Sequence, residues 1–286
     1  LEEVSAGEIV NMIKHEFVQI MKYVGLVDFC VSNKKLLDNG FNFSMFMKDS
    51  EKPIIQGTEI SHPYLENSVK NDVNLNGENM IITGPNAAGK STFIKTVILN
   101  VLLGQTIGIC KASSFQFTIF YNMETYLHIP DKNGISSLFE TEMLKSKNYI
   151  DKIVTYPKDK KSLIIMDEIF SSTNYIEGAS GAYGILKKLS TFKNNMTLIT
   201  THYSKLCKLQ KVTKNNFQNY KFEIERNEKN EIIYNYKISK GISNQNIALE
   251  LLKKNNFDES IIKDAISFEK MLLKKKKKKK LSLKNI

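Results

Sequence analysis

The sequence has few cysteines, no long apolar run and no basic N-terminal region, and each absence argues against a class of protein. Its three cysteines lie far apart and form no C-x-x-C pair, which argues against a zinc site and for a reducing compartment. The best apolar stretch, residues 96–110, is interrupted by an asparagine and a glutamine and does not reach the length of a membrane span. Residues 2, 3 and 8 are acidic where a secretion signal is basic. We therefore expect an intracellular protein, nuclear or cytoplasmic, that is neither secreted nor bound to a membrane.

The positive charge is concentrated near one end of the chain. Seven of the 41 Lys and Arg residues form the run 274–280, and without them the net charge of +11 falls to +4. A remainder this mild does not by itself indicate a nucleic-acid surface. The run is typical of a solvated, disordered tail, and the alternative is a role in nuclear import or DNA contact.

The most informative stretch is residues 81–92, which read I-I-T-G-P-N-A-A-G-K-S-T. The apolar residues before Gly84 predict a short buried strand, and residues 93–103 have the length and spacing of a helix. Gly84 and Gly89 would let the backbone turn its N–H groups inward around phosphates, and the helix N-terminus adds partial positive charge. Lys90 supplies a point charge, and the Ser91 hydroxyl can ligate Mg²⁺. The pattern favours a phosphate-binding loop over a chance match in a glycine-containing turn.

Carboxylates follow a second buried strand. Residues 162–168, S-L-I-I-M-D-E, place Asp167 and Glu168 at the C-terminal end of that strand, where ligands bind in open α/β sheets. Asp167 is placed to hold Mg²⁺ opposite the serine of the loop, and Glu168 to orient or deprotonate an attacking water. His202 follows the next buried strand, residues 197–200, in the same way. It is therefore a candidate γ-phosphate sensor, with a structural histidine as the alternative.

The N-terminal part of the chain has a helical pattern. Residues 6–38 carry apolar side chains at intervals of three and four, which predicts one long helix, either a stem or an ordinary packing helix. Because the chain begins at Leu1 rather than Met, we expect a stem that enters from a preceding region. The polar residues 49–63, with two prolines and a glycine, predict a seam between stem and core.

Shorter patterns predict the remaining elements. They are strands in 114–127, helices at 138–154 and 179–189, a polar turn at 170–178, a hairpin of 217–226 and 231–237, and helices at 246–254 and 258–273. The last two helices have a helix-turn-helix outline. Packing or dimerisation is favoured over DNA reading there, because no basic recognition helix is present.

Four motifs in order make the chain resemble the ATPase region of the MutS family, the DNA mismatch-repair ATPases of the ABC class of P-loop proteins. They are T-G-P-N-A-A-G-K-S-T, S-S-L-F-E-T-E, I-I-M-D-E and T-T-H-Y, with H-P-Y-L-E ahead of the first. The resemblance implies an α/β fold with a mixed sheet flanked by helices, an N-terminal helical stem and a C-terminal helix-turn-helix. The implied domains are a stem at 1–48, the ATPase at 49–240, a dimerising helix-turn-helix at 241–273 and a basic disordered tail at 274–286.

The resemblance also assigns roles to individual residues. The nucleotide loop would comprise Gly84, Pro85, Asn86, Ala87, Ala88, Gly89, Lys90, Ser91 and Thr92. Asp167 and Glu168 resemble the Mg²⁺-binding and water-activating pair, with Ser91 as the second metal ligand. His202 resembles the switch histidine, and Lys90 and Glu168 would share the chemistry with it. Val69 and Tyr236 fall where family members pack on the adenine. Ser136 and Ser137 resemble the serine motif that reaches the γ-phosphate of the opposite subunit.

The function implied by the resemblance is ATP binding and hydrolysis with Mg²⁺, in a homodimer or heterodimer whose sites are composite. ATP state would be coupled to DNA, contacted mainly by regions that precede this chain, in mismatch repair or recombination. Two departures suggest a divergent MutS-related branch. Ala87 and Ala88 replace the Met-Gly common in repair members, and residues 167–178 lack their glycine-rich loop.

Three other functions remain open at the level of sequence. A transporter-like or SMC-like ABC ATPase would carry an L-S-G-G-Q-type signature before the Asp-Glu strand, and none is present. A nucleotide-gated DNA-binding scaffold without hydrolysis would lack catalytic residue types, yet all the expected ones are here. A mainly basic DNA-binding module would depend on the lysine run for its binding.

Overall fold

The computed structural model describes residues 6–127, 138–228, 231–243, 245 and 248–282. The first half contains α1 (Ala6–Asp38), β1 (Asn42–Phe43), β2 (Met45–Phe46), β3 (Ile54–Ile60), β4 (Asn71–Asn76), β5 (Asn79–Thr83), α2 (Lys90–Ile107), β6 (Ile109–Cys110), β7 (Ser114–Phe117) and β8 (Phe120–Tyr126). The second half contains α3 (Leu138–Thr155), β9 (Lys161–Met166), α4 (Tyr175–Leu189), β10 (Asn195–Thr200), a 3₁₀ turn (Ser204–Lys208), α5 (Leu209–Val212), β11 (Phe217–Arg226), β12 (Ile232–Lys240), α6 (Ala248–Lys254) and α7 (Glu259–Ser282).

The central sheet is mixed, as the sequence predicts. Its strand order is β12-β11-β5-β10-β9-β8. The strands β11, β5, β10, β9 and β8 run parallel to one another, and β12 pairs antiparallel with β11 at one edge. Ile199 of β10 lies opposite Ile81 on one side and Met166 on the other. Since β5, β10 and β9 run in the same direction, the residues that follow them meet at one end of the sheet.

Both faces of this sheet are buried, which explains the uninterrupted apolar runs of its strands. Met80 and Ile82 pack on the side of α2 and the β3-containing sheet, whereas Ile81 packs on the side of α3 and α4. All three side chains are at most 1% exposed. Burial of each such side chain stabilises the fold by roughly 1.5–3 kcal/mol. The chain is therefore an α/β protein whose mixed sheet is flanked by helices.

A second sheet of four strands corrects the prediction for residues 49–63. Its order is β2-β7-β3-β4, and β3 lies inside the predicted polar seam. Ile55 and Ile60 of β3 are fully buried. Gly57 lies within this strand, and a larger residue would not fit there, because the side chains of Ile60 and Phe115 lie 2.6 Å from where a Cβ would be. The glycine thus marks a close approach of neighbouring side chains rather than a turn.

Helix α4 begins earlier than the sequence predicts, so the polar turn at 170–178 is shorter. The helix starts at Tyr175 because Asn174 caps it. The Asn174 side-chain oxygen accepts hydrogen bonds from the backbone N–H groups of Ile176 and Glu177 at 3.1 and 3.0 Å. An asparagine that caps the first turn is a strong signal for the start of a helix. The prediction of a turn at residues 170–178 did not take this signal into account.

Helix α1 has the predicted bounds, and its apolar side chains are exposed. Phe17, Ile20 and Val24 are each more than half exposed. Near the other end, the Asn33 side chain donates to the Ile107 carbonyl oxygen at 3.2 Å. A helix whose apolar positions are uncovered favours the stem interpretation over an ordinary packing helix.

Helix α7 differs from the expected disordered tail. It continues to Ser282 and so includes the lysine run 274–280. Lysine has a high helix propensity, and elongation of an existing helix requires no new nucleation. Among the described residues, no helix has both the length and the apolar content that a membrane crossing needs.

Candidate functional site

The loop between β5 and α2 passes closely under the hairpin of β11 and β12. A Cβ on Gly84 would lie 2.8 Å from the Phe222 carbonyl oxygen, so only glycine allows this approach. Gly89, directly before α2, has a φ of 100°, and a Cβ there would lie 3.2 Å from the Tyr236 ring. The two glycines therefore fix the loop against the hairpin and point the start of α2 into a cleft.

Lys90, the first residue of α2, is folded back onto the loop. Its Nζ donates to the carbonyl oxygens of Gly84 at 3.1 Å and Pro85 at 3.0 Å, and the residue is only 4% exposed. Burial lowers the pKa of Lys90, and the negative charges of Glu168 and Asp167 oppose that shift. The loop thus holds a nearly buried ammonium close to two carboxylates.

Asp167 joins the loop to the ends of two strands. It directly follows β9, and its Oδ1 accepts a hydrogen bond from Ser91 Oγ at 2.8 Å. The hydroxyl of Thr200, the last residue of β10, donates to the same oxygen. Hydroxyl and carboxylate oxygens are the ligands that Mg²⁺ prefers. The described residues contain no group of three or more His, Cys, Asp or Glu side chains arranged for a metal, so an ion here would take further ligands from phosphate or water.

Glu168 occupies a strained backbone conformation, with a φ of 52°. Its N–H donates to the carbonyl oxygen of Thr200 at 3.1 Å and to the Thr200 hydroxyl at 3.0 Å. Its Oε1 lies 2.8 Å from Nε2 of His202. The hydrogen bond with His202 lowers the pKa of Glu168, aided by the charges of His202 and Lys90 and opposed by burial. These contacts favour the ionised form of Glu168, whose carboxylate can accept further hydrogen bonds besides the one from His202.

A cleft of about 620 Å³ connects these groups to the hairpin. Its lining includes Lys90, Ser91 and Glu168, and also Val69 and Tyr236, whose backbones are joined through Asn71. The cleft is further lined by Ile60, Leu65, Asn67, Ser68, Asn71, Asn86, Ala87, Gly89, Thr92, Phe93, Thr96 and Phe222. The remaining residues of the predicted loop lie beside it, with Ala88 buried at 2% exposure. Ser136 and Ser137 lie outside the described residues.

Comparison with known proteins places the chain in a family. A family model described as MutS domain V matches residues 80–273, about two thirds of the chain. The chain belongs to the MutS domain V family. Within that match lie Lys90, Asp167, Glu168 and His202, whereas Val69 precedes it.

Three curated relatives extend the MutS likeness over most of the chain. It is 32% identical to the DNA mismatch repair protein MSH3 of Candida albicans over 87% of this chain. It is 29% identical to the DNA mismatch repair protein MutS of Caldanaerobacter subterraneus over 91%, and 29% identical to the MutS protein homolog 4 of Mus musculus over 79%. The matches span only 25%, 30% and 23% of those three proteins, in the same order.

Two residues of the candidate site were missed by sequence reasoning. Thr200 supports both Asp167 and Glu168, and the only signal in the sequence is its place as the first residue of the T-T-H-Y motif. Asn71, at the start of β4, is hydrogen-bonded to the backbone at both walls of the cleft, at Val69 and Tyr236. An asparagine beside an aspartate reads locally as a turn residue, and its partner on β12 is too distant in sequence to suggest otherwise.

Proposed function

We propose that this chain is the ATP-binding and ATP-hydrolysing module of a MutS-like protein of DNA mismatch repair or recombination. One observation carries the proposal. The loop that ends in Lys90 and Ser91, the acidic pair after β9 and His202 after β10 lie together beside a cleft that Lys90, Ser91 and Glu168 line. Membership of the MutS domain V family is established independently of that geometry. It supports assignment of the chain to the ABC class of P-loop ATPases.

The loop would bind the triphosphate by charge and by backbone donors. The Lys90 ammonium is buried and satisfied by two carbonyl oxygens, so a phosphate oxygen that replaced them would offer it a full opposite charge. The N-terminus of α2 directs N–H groups and partial positive charge to the same place. Asn86, Ala87 and Gly89 line the cleft beside it and would complete the cradle.

The residues at this end fit Mg²⁺. Ser91 Oγ and Asp167 Oδ1 lie 2.8 Å apart, and an ion between them would separate the pair and use both as ligands. When bound, Mg²⁺ would neutralise charge that develops on the transferred phosphoryl group. Thr200 would keep Asp167 oriented by donating to the carboxylate.

Glu168 would position the attacking water and accept its proton. Its carboxylate lines the cleft, and His202 holds one of its oxygens at 2.8 Å. His202 would therefore orient Glu168 and keep it ionised, and it could also respond to the γ-phosphate. Val69 and Tyr236, which also line the cleft, would pack on the adenine base.

The proposal includes a dimer with composite sites. By resemblance, Ser136 and Ser137 act on the nucleotide of the neighbouring subunit, and α6 with α7 form the dimerising helix-turn-helix. DNA would be contacted mainly by other parts of the whole protein, with α1 as the connecting stem. The function, by analogy with the named repair relatives, implies an intracellular location.

The proposal is tested by measuring Mg²⁺-dependent ATP turnover against protein concentration, with the oligomeric state recorded in parallel by light scattering. We expect specific activity to rise with concentration and to level off when the dimer predominates, because each site needs both subunits. A flat profile in a monomeric sample would rule out the shared site. ATP binding without turnover at any concentration would favour the non-hydrolysing scaffold instead.

A further inference from the structure

The two walls at the base end of the cleft belong to different sheets. Val69 lies just before β4 of the four-stranded sheet, and Tyr236 lies in β12 at the edge of the central sheet. The spacing of these walls therefore depends on how β4 and β12 are joined, and not on the hydrogen bonds within either sheet.

The side chain of Asn71 makes that connection. Its Nδ2 donates to the Val69 carbonyl oxygen at 3.2 Å and to the Tyr236 carbonyl oxygen at 3.0 Å. Its Oδ1 accepts from the Ile238 N–H at 2.9 Å. Asn71 is 9% exposed, and these bonds use both amide protons and the carbonyl group. One buried amide thus links the backbone of Val69 to that of β12 on either side of Lys237.

The β12 side of this link is strained where Asn71 holds it. Tyr236 has a φ of 52°, an uncommon conformation for an aromatic residue. Its ring stacks on Tyr234 with centroids 5.8 Å apart and lies next to Gly89 of the phosphate loop. Lys237 Nζ adds a second link by donating to the Lys70 carbonyl oxygen at 2.5 Å. The orientation of the Tyr236 ring therefore depends on a backbone kink that Asn71 stabilises.

We infer that Asn71 is a positioning residue for the nucleoside part of the ligand. It fixes the spacing of Val69 and Tyr236, between which a purine base packs, and its hydrogen bonds within the described part of the chain go to Val69 and β12 rather than to the groups proposed to hold the triphosphate. This inference rests on the proposed function, because it takes the cleft to be a nucleotide site. It assigns base affinity and phosphate affinity to separate parts of the cleft.

The test is Asn71→Asp, which keeps the size of the side chain. The variant retains an acceptor for the Ile238 N–H but places a carboxylate oxygen against the carbonyl oxygens of Val69 and Tyr236. Dissociation constants are measured calorimetrically with Mg²⁺ for the β,γ-imido analogue of ATP and for inorganic triphosphate. We expect the constant for the analogue to rise on the order of tenfold, from the loss of two hydrogen bonds, and the constant for triphosphate to change less than about twofold.

Asn74→Asp is the matched control, because Asn74 lies in the same strand and its side-chain oxygen accepts an exposed hydrogen bond from Gln56 Nε2 at 3.0 Å. It should alter neither constant. Asn71→Ala is measured in the same way and replaces Asn71→Asp if that variant does not fold. Equal loss of affinity for both ligands, or no loss for either, would overturn the inference. If the unaltered chain binds neither ligand, the proposed function fails and the inference fails with it.

Discussion

At the scale of single residues, the contact between His202 and Glu168 favours the ionised form of a carboxylate that lines the cleft. The two side chains are 42% and 36% exposed, so the contact is partly solvated and its energy is reduced by screening. The contact nevertheless changes the protonation of Glu168 in a definite direction. The hydrogen bond from His202 stabilises the ionised form of Glu168 and lowers its pKa below the ordinary value of 4.5.

We expect His202→Ala to shift the acid side of the pH–activity profile. Removing the hydrogen bond raises the pKa of Glu168, so the carboxylate becomes protonated at a higher pH and activity is lost at a higher pH as acidity increases. Well above both pKa values Glu168 is ionised in both proteins, so their activities differ through this effect only as the pH falls through the raised pKa of the variant towards the lowered pKa of the unaltered chain. The measurement is ATP turnover from pH 4 to pH 8. His15→Ala on exposed α1 is the control. An acid side that keeps its position in His202→Ala would show that His202 does not tune Glu168.

The predicted residues that follow strands lie close together in the structure, and the reason is topological. Lys90, Asp167 and His202 each come directly after a buried strand or its loop, and parallel strands bring such positions together. Thr200 and Asn71 were not predicted as site residues, because their roles depend on partners that are distant in sequence. A local pattern cannot reveal a hydrogen bond between residues that are distant in sequence.

At the scale of elements, the C-terminal helices are tied to the hairpin that carries Tyr236. Arg226 at the end of β11 makes two hydrogen bonds of 2.7 Å with the carboxylate of Glu250 in α6. The Gln245 side chain accepts from the Ile224 N–H at 2.8 Å and donates to the Ile224 carbonyl oxygen at 3.1 Å. The candidate dimerising helices are therefore joined to a wall of the cleft through β11.

We expect Glu250→Ala to loosen α6 without unfolding the core. The Arg226 side chain is 41% exposed and Glu250 34% exposed, so solvent screens the pair and its loss should leave global stability nearly unchanged. Hydrogen exchange measured by mass spectrometry should become faster in residues 248–254 and stay unchanged in β9 and β10.

Glu259→Ala is the control for that experiment. It removes the exposed pair with Lys263 in α7, in which both side chains are at least 75% exposed. Exchange in α6 should then stay as in the unaltered chain. If Glu250→Ala leaves exchange in α6 unchanged as well, the Arg226 contact does not hold that helix.

Elements with strong local patterns were predicted from the sequence, and those with mixed signals were not. The pattern of α1 gave its bounds, and the apolar runs gave β5, β9 and β10. Strand β3 was read as a seam because two prolines and a glycine fall within residues 49–63. Its burial comes from neighbours such as Phe115 on β7, which no pattern within β3 shows.

At the scale of the whole molecule, the order of strands creates the site. Placing β5 between β11 and β10 puts the loop between β5 and α2 beside the ends of β10 and β9 and next to the hairpin of β11 and β12. The alternation of strands and helices predicts the α/β class, but the order itself depends on pairing between distant segments. The exposed apolar side chains of α1 show that this surface has no partner within the described residues.

The central claim is that this cleft hydrolyses ATP with Glu168 as the residue that activates water. The most direct measurement compares Glu168→Gln with the unaltered chain for steady-state phosphate release at saturating Mg²⁺ and ATP, with ATP affinity measured in parallel. Glu177→Gln, an exposed change in the first turn of α4, is the control. We predict that Glu168→Gln keeps ATP affinity within a few fold and lowers turnover by about 10²–10⁴-fold. Equal turnover in Glu168→Gln and the unaltered chain would contradict the account.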